Sequence, residues 1–316
     1  YIYMAIRAPM MVEPEAATDV FATVTRTGTN SSATVTGVGF PFDMMISKPR
    51  NNLGNTALFD RMRGALRVLL PNSTDSDISR AGTVTSFDQD GFSTAADAEN
   101  LVNANNYTYA YQSWKRAKGF FDICTHVGVS GSSQVIPHSL GVVPEMIWLK
   151  ARSATGRWLV LHKDITYALA LQTDAAETAS IQINTPTSTS FTAVDNSVSN
   201  GAGVTYVNYL FATLAGISKV GSYTGNGSSQ TISCGFSAGS RFILIKRTDA
   251  SGDWYFWDSV RGIVAGNESR LSLNTTAAQV TYNDSVDPTN SGFIVNQESD
   301  TNINVSSGTY IFYAIA

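Results

Sequence analysis

The chain has little charge, little cysteine, little histidine and no long apolar run. Charged residues make up 15% of it, 25 acidic against 21 basic, for a net charge of −4. Tracking a nucleic acid or an anionic membrane takes clustered Lys and Arg, so neither is an expected partner. No stretch reaches the roughly 18 apolar residues of a spanning helix, and no secretory signal pattern opens the chain, so membrane insertion is not expected either. Cys124 and Cys234 stand 110 residues apart, in no metal-ligand spacing, and read as free core thiols rather than a disulfide. His126, His138 and His162 also fall at no metal-binding spacing. A P-loop and a His-Glu-x-x-His helix are absent. The reading is therefore non-enzymatic, with no catalytic, cofactor-binding or metal residue and no cofactor.

What is present is valine and aromatics at apolar positions, and Ser, Thr, Asn and Gly at polar ones. β-Branched and aromatic side chains favour strands, and the small polar residues favour turns. One aromatic strand occurs four times: Tyr1–Ile6, Tyr109–Trp114, Tyr206–Phe211 and Tyr310–Ile315, with the leading tyrosines 108, 97 and 104 residues apart. Four further signals recur at that period, the last of them weaker. A turn reads Asn30-Ser-Ser-Ala33, Gly131-Ser-Ser-Gln134 and Gly227-Ser-Ser-Gln230; Asn226-Gly227 suits a tight hairpin. An apolar strand ends in Lys48, Lys150 or Lys246, and its unbroken hydrophobicity indicates cover on both faces, by a second sheet or a neighbouring chain. Aromatic segments follow at Thr56–Gly64, Trp158–Ile165 and Trp254–Gly262, where Trp254, Phe256 and Asp258 share one strand face and Tyr255 and Trp257 the other. Phe92, Phe191 and Phe293 precede the repeated tyrosine by 15 to 17 residues. The best helical stretches are Ala95–Asn103 and Leu58–Leu70, the first short and the second at odds with the strand alignment.

Short strands at turn-punctuated intervals predict an all-β chain of three tandem antiparallel β-sandwich modules, jelly-roll-like. The expected boundaries are 8–115, a divergent first module, then 116–212 and 213–316. Residues 1–7 read as the closing strand of a preceding module, which implies a longer protein.

Asp60, Arg63, Asp258 and Arg261 form the one recurrent charged motif, Asp-x-x-Arg-Gly. A carboxylate and a guanidinium at this spacing suit sugar binding or a loop clamp. The second module has His162 in place of the aspartate yet keeps its other signals, so a structural strand-end pair is preferred over a surface contact. Asp88-Gln-Asp90-Gly91 resembles a calcium loop but puts Ser93 where the turn glycine belongs. Trp148, Trp158, Trp254 and Trp257 lie in apolar strands, which favours core packing over sugar stacking.

Lys219–Phe236, Phe242–Gly262 and Thr309–Ala316 resemble a family of tandem-repeat virion proteins of tailed bacteriophages, especially those of marine bacteria. In that family such segments recur along long, tail-fibre-like structural proteins. The third module carries the resemblance most fully. The second carries it less, and the first only through Tyr1–Arg7 and Asp60–Gly64. The resemblance implies a virion component exposed on an extracellular particle. Unpaired strand edges and the multivalency of appendages add the expectation of self-association, as a homotrimeric tail fibre or spike contacting a host-surface glycan or protein. Other virion proteins would bind through the missing N-terminal part. A capsid decoration or head fibre is the alternative, a bacterial carbohydrate-binding adhesin the third, and a polysaccharide-cleaving enzyme the last, since no carboxylate pair stands out.

Overall fold

The computed structural model describes residues 11–177 and 186–316. The expected closing strand at Tyr1–Ile6 lies outside the described residues. Among those described there is no α-helix, only a 3-10 turn at Ala17–Asp19. Leu58–Leu70 and Ala95–Asn103 form strand, turn and loop instead, as their lack of 3.6-residue periodicity requires.

The strands fall into three consecutive sets. The first holds β1 (Phe21–Thr27), β2 (Ala33–Val35), β3 (Met44–Pro49), β4 (Ala57–Asp60), β5 (Arg67–Val68), β6 (Ile78–Ser79), β7 (Val84–Asp88), β8 (Gly91–Thr94) and β9 (Thr108–Trp114). The second holds β10 (Phe121–Val127), β11 (Gln134–Pro137), β12 (Met146–Ala151), β13 (Leu159–His162), β14 (Leu169–Ala170), β15 (Ser190–Ala193) and β16 (Thr205–Phe211). The third holds β17 (Ser218–Thr224), β18 (Gln230–Ser233), β19 (Phe242–Arg247), β20 (Tyr255–Asp258), β21 (Glu268–Ser272), β22 (Val280–Asn283), β23 (Val286–Thr289), β24 (Gly292–Val295) and β25 (Thr309–Ile315).

All pairing is antiparallel, and one order recurs. The main sheets run β1-β9-β3-β4, β10-β16-β12-β13-β14 and β17-β25-β19-β20-β21-β22. The smaller sheets run β2-β8-β7, β11-β15 and β18-β24-β23. In each set the first strand pairs with the last and the second with its counterpart before the last, a jelly-roll-like wrapping of two sheets. The repeated tyrosines occupy one register: Tyr109 lies opposite Arg26 and Pro49, Tyr206 opposite His126 and Ala151, and Tyr310 opposite Tyr223 and Arg247.

The period-2 alternation of the closing strands decides how the sets sit together. Tyr310, Phe312 and Ala314 face the third set's own smaller sheet. Ile311, Tyr313 and Ile315 point the other way, into a cluster that also takes Val207, Tyr209 and Phe211 from β16 and Ala110 and Trp114 from β9. One core is thus shared by all three main sheets. The apolar strands are covered on the second face by the other sets of the same chain, not by a neighbouring chain. Trp254 and Phe256 enter the shared core while Tyr255 and Trp257 pack under the smaller sheet. The sets follow one another in sequence but close around a common centre.

Candidate functional site

Each closing strand is pinned by its leading tyrosine. Tyr109 Oη accepts from Ala104 N at 3.0 Å and donates to Asn100 O at 3.1 Å. Tyr206 does the same with Gly201 N and Ser197 O, at 2.8 and 3.2 Å, and Tyr310 with Val305 N and Asn302 O, at 2.9 and 2.8 Å. This is the tyrosine-corner arrangement of β-sandwiches: a buried ring whose hydroxyl ties down the loop leading into its own strand. Six residues ahead stands a fully buried asparagine, Asn103, Asn200 or Asn304. Its Oδ1 accepts from Thr29, Val129 or Asn226 N at 3.0, 3.1 and 3.0 Å. Its Nδ2 donates to Ser31, Ser132 or Ser228 O. The asparagine therefore holds the Ser-Ser turn between the first two strands of its set. Those strands lie in different sheets, so the hairpin expected at Asn226-Gly227 is instead a crossing from β17 to β18. The tyrosines were conspicuous in the sequence, whereas the asparagines, at the same period, were missed among many others.

The Asp-x-x-Arg motif closes buried pairs. Arg63 Nε donates to Asp60 Oδ2 and Arg261 Nε to Asp258 Oδ2, both at 2.5 Å, with all four side chains at 0% exposure. The backbone N–H groups of Arg63 and Arg261 also cap their aspartates, at 2.8 and 2.9 Å. The pairs sit at the ends of β4 and β20, with their side chains away from solvent. Each aspartate also receives a donor from another set. Tyr209 Oη donates to Asp60 Oδ2 at 2.6 Å, and Gln112 Nε2 to Asp258 Oδ2 at 3.1 Å. Arg63 in turn reaches Asp77 at 3.2 Å, which pairs across the boundary with Arg152 at 3.3 Å.

The strand-ending lysines are buried and donate to carbonyls in a cyclic pattern. Lys48 of the first set reaches Thr275 O of the third. Lys150 of the second reaches Thr74 O of the first, at 3.2 Å, and Lys246 of the third reaches Asp174 O of the second, at 3.0 Å. Gly54, Gly156 and Gly252, six residues on, donate N–H groups to Thr276, Thr74 and Asp174 O at 2.9 Å. Two residues further, Trp158 Nε1 binds Leu70 O at 3.0 Å and Trp254 Nε1 binds Ala170 O at 3.1 Å. Burial lowers the Lys48 amine to about 7 and those of Lys150 and Lys246 to about 8. Each of the three junctions is thus built from one set's strand-end polar groups and the backbone of the set before it in the cycle.

The third junction lacks the carboxylate. His162 stands where Asp60 and Asp258 do, four residues after Trp158, and its side chain is at 0% exposure. Its Nδ1 accepts from Asp164 N at 3.2 Å, so the proton sits on Nε2, which faces the Phe312 carbonyl of the third set without a hydrogen bond of normal geometry. Burial drives its pKa down to about 4 against the pull of Asp164. Tyr313, at the position of Tyr209, also leaves its hydroxyl unpartnered.

Other candidates resolve into structural roles. Cys124, His126 and Asn208 meet on neighbouring strands, but the amide lies between thiol and imidazole: Asn208 Nδ2 is 3.8 Å from Cys124 Sγ and 3.1 Å from His126 Nδ1. Burial pushes the thiol up to about 12 and lowers the imidazole, the reverse of an activated pair. Asp90 caps the N–H groups of Gly37 and Gly39 across the β7–β8 turn. Trp148, Trp158, Trp254 and Trp257 are all buried. Among the described residues no three His, Cys, Asp or Glu side chains are grouped to hold a metal. A cavity of about 420 Å³ opens beside β12 and β13, with Ile147, Leu161, Ile165 and Tyr167 in its walls. Of its polar groups, Glu145 accepts from Thr213 N at 2.8 Å and Lys163 pairs with Asp164 at 2.8 Å, and His162 also lines the wall.

A search of the curated proteins finds no match to the chain. The model of one family, described as a domain of unknown function (DUF7483), matches residues 16–316 and so spans all three strand sets as one unit. The chain belongs to that DUF7483 family.

Proposed function

We propose that this chain is a non-enzymatic structural component of a tailed-bacteriophage virion, a tail-fibre or spike element that contacts the host surface. The observation that carries the reading is where the recurrent polar groups go. Asp60–Arg63, Asp258–Arg261, the three lysines and the Tyr–Asn pairs are all consumed in holding strand sets together, which suits a load-carrying particle on an extracellular assembly. The likeness of Lys219–Phe236, Phe242–Gly262 and Thr309–Ala316 to phage fibre-like repeats supplies the assembly. In this reading residues 8–115, 116–212 and 213–316 are three sandwich modules closed into one ring. The proposed homotrimer would then form through outer surfaces, because the three-fold closure needed to cover the main sheets is met within one chain.

Gold-labelled antibody against the purified chain, imaged on intact particles of the phage that carries it, tests the reading. Label on the tail supports it. Label on the capsid transfers the protein to the decoration alternative, and particles without label defeat the virion assignment. Light scattering of the purified chain tests the oligomer: a monomer mass at all concentrations removes the trimer.

A further inference from the structure

We infer that the ring carries an acid-sensitive junction between the second and third strand sets, with His162 as its trigger. The inference starts from a comparison within the molecule. At two junctions the position four residues after Thr56 or Trp254 is an aspartate, locked by an arginine and by a donor from the neighbouring set. At the third it is His162, with no arginine, a buried Nε2–H that faces the Phe312 carbonyl without a hydrogen bond of normal geometry, and Tyr313 in the neighbouring set unpartnered. The Trp114 indole adjoins the Tyr313 hydroxyl, yet neither makes a hydrogen bond of normal geometry. The same two sets are otherwise joined by Lys246, Trp254 and the amides of Gly252 and Glu177. No charged pair comparable to Asp77–Arg152 is present among the described residues of this junction.

The groups facing His162 fix the sign. Asp164 lies 3.9 Å from Nδ1 and favours the cation; Lys163 beside it opposes. Glu145 and Tyr167 share the cavity wall with the ring, and Lys219 lines the cleft beyond Asp164, next to the third set's Phe312. Protonating Nδ1 removes the acceptor of the Asp164 N–H and places a cation in the apolar seam. Burial outweighs the single carboxylate, so the folded junction resists the proton that the opened one accepts freely. Acid therefore favours opening, and the effect grows as pH falls from about 6.5 towards 4.

Hydrogen exchange on the intact chain, corrected for the intrinsic effect of pH, reads each junction separately. Gly252 and Glu177 amides cross the second–third junction, Gly156 and Asp77 the first–second, and Gly54 and Gln279 the third–first. Between pH 7 and pH 5 the protection of Gly252 and Glu177 is expected to fall by about twenty-fold relative to the other four, from a shift of 6.5 to about 4. In His162→Asn, which cannot titrate, the differential fall disappears. Equal losses at all three junctions in the wild type overturn the inference, and this comparison needs no variant. A differential loss that persists unchanged in His162→Asn also overturns it.

Discussion

Tyr209 and Tyr313 occupy the same position of the repeat, lie fully buried in the same shared core, and are predicted to respond oppositely to one change. Tyr209→Phe deletes a hydroxyl that donates to the buried, arginine-paired Asp60 at 2.6 Å. The ring keeps its place stacked on Trp158, 6.3 Å between centroids, so no cavity opens and the loss is the hydrogen bond alone. Bonds to charged acceptors contribute about 1.5–3 kcal/mol. Asp60 retains Arg63 Nε and the Arg63 N–H, which places the cost near the lower end, about 2 kcal/mol. Tyr313→Phe deletes a hydroxyl that has no partner. A buried unpaired polar group costs about 1–3 kcal/mol, so its removal is expected to be neutral or stabilising by up to about 1 kcal/mol.

Thermal unfolding followed by near-ultraviolet circular dichroism separates the two. The Tyr209 variant is expected to melt roughly 4 °C below the parent, on the usual entropy of unfolding for a domain somewhat smaller than this, and the Tyr313 variant at or above it. A double cycle with Asp60→Asn isolates the pair: the cost of Tyr209→Phe should shrink once the acceptor has lost its charge. If Tyr313→Phe destabilises as much as Tyr209→Phe, the difference between the junctions does not arise from aspartate against histidine, and the account of the ring fails.

Asn304→Ala should cost about 2–3 kcal/mol and speed proteolysis within the Gly225–Ser229 turn, since Asn226 N–H and the Val295 and Ser228 carbonyls lose a buried partner; a change below 0.5 kcal/mol would contradict it. Gly221→Ala should cost about 1–3 kcal/mol in a urea titration, because its new Cβ would lie 2.6 Å from Phe312 Cζ in a packed interior; a neutral result would show that Phe312 yields freely. Stability should rise between about pH 7.5 and 8.5. Burial lowers the three lysines to about 7, 8 and 8, so in this window the unfolded chain binds more protons. Above it the cysteines, pushed up to about 12 by burial, act in the opposite sense, and a urea midpoint that falls within the window would reject the assignment.

The legible and illegible parts of this protein divide along a physical line. Strand positions were readable because a strand buried on both faces must be apolar throughout, and Phe242–Lys246 and Tyr310–Ile315 carry that demand in their composition. The spacing of Asp60 and Arg63 was readable as a pair, and His162 breaks that motif while the other signals around it persist. The ring was not readable. Lys48, Lys150 and Lys246 bind backbone carbonyls of Thr275, Thr74 and Asp174, and a carbonyl acceptor imposes no residue type on the chain that supplies it. The sequence showed only that something must cover the second face of each main sheet, and a neighbouring chain met that need as well as the other modules did. The same blindness explains the asparagines. Asn103, Asn200 and Asn304 do their work through backbone N–H and C=O groups of a turn, so their period is the only trace they leave. Aligning the modules on the closing tyrosine and asking which polar residue never changes six places upstream recovers them. The same alignment singles out His162 as the one place among the three junctions where the Asp–Arg pair is missing, which is why the acid response is assigned there and to no other part of the ring.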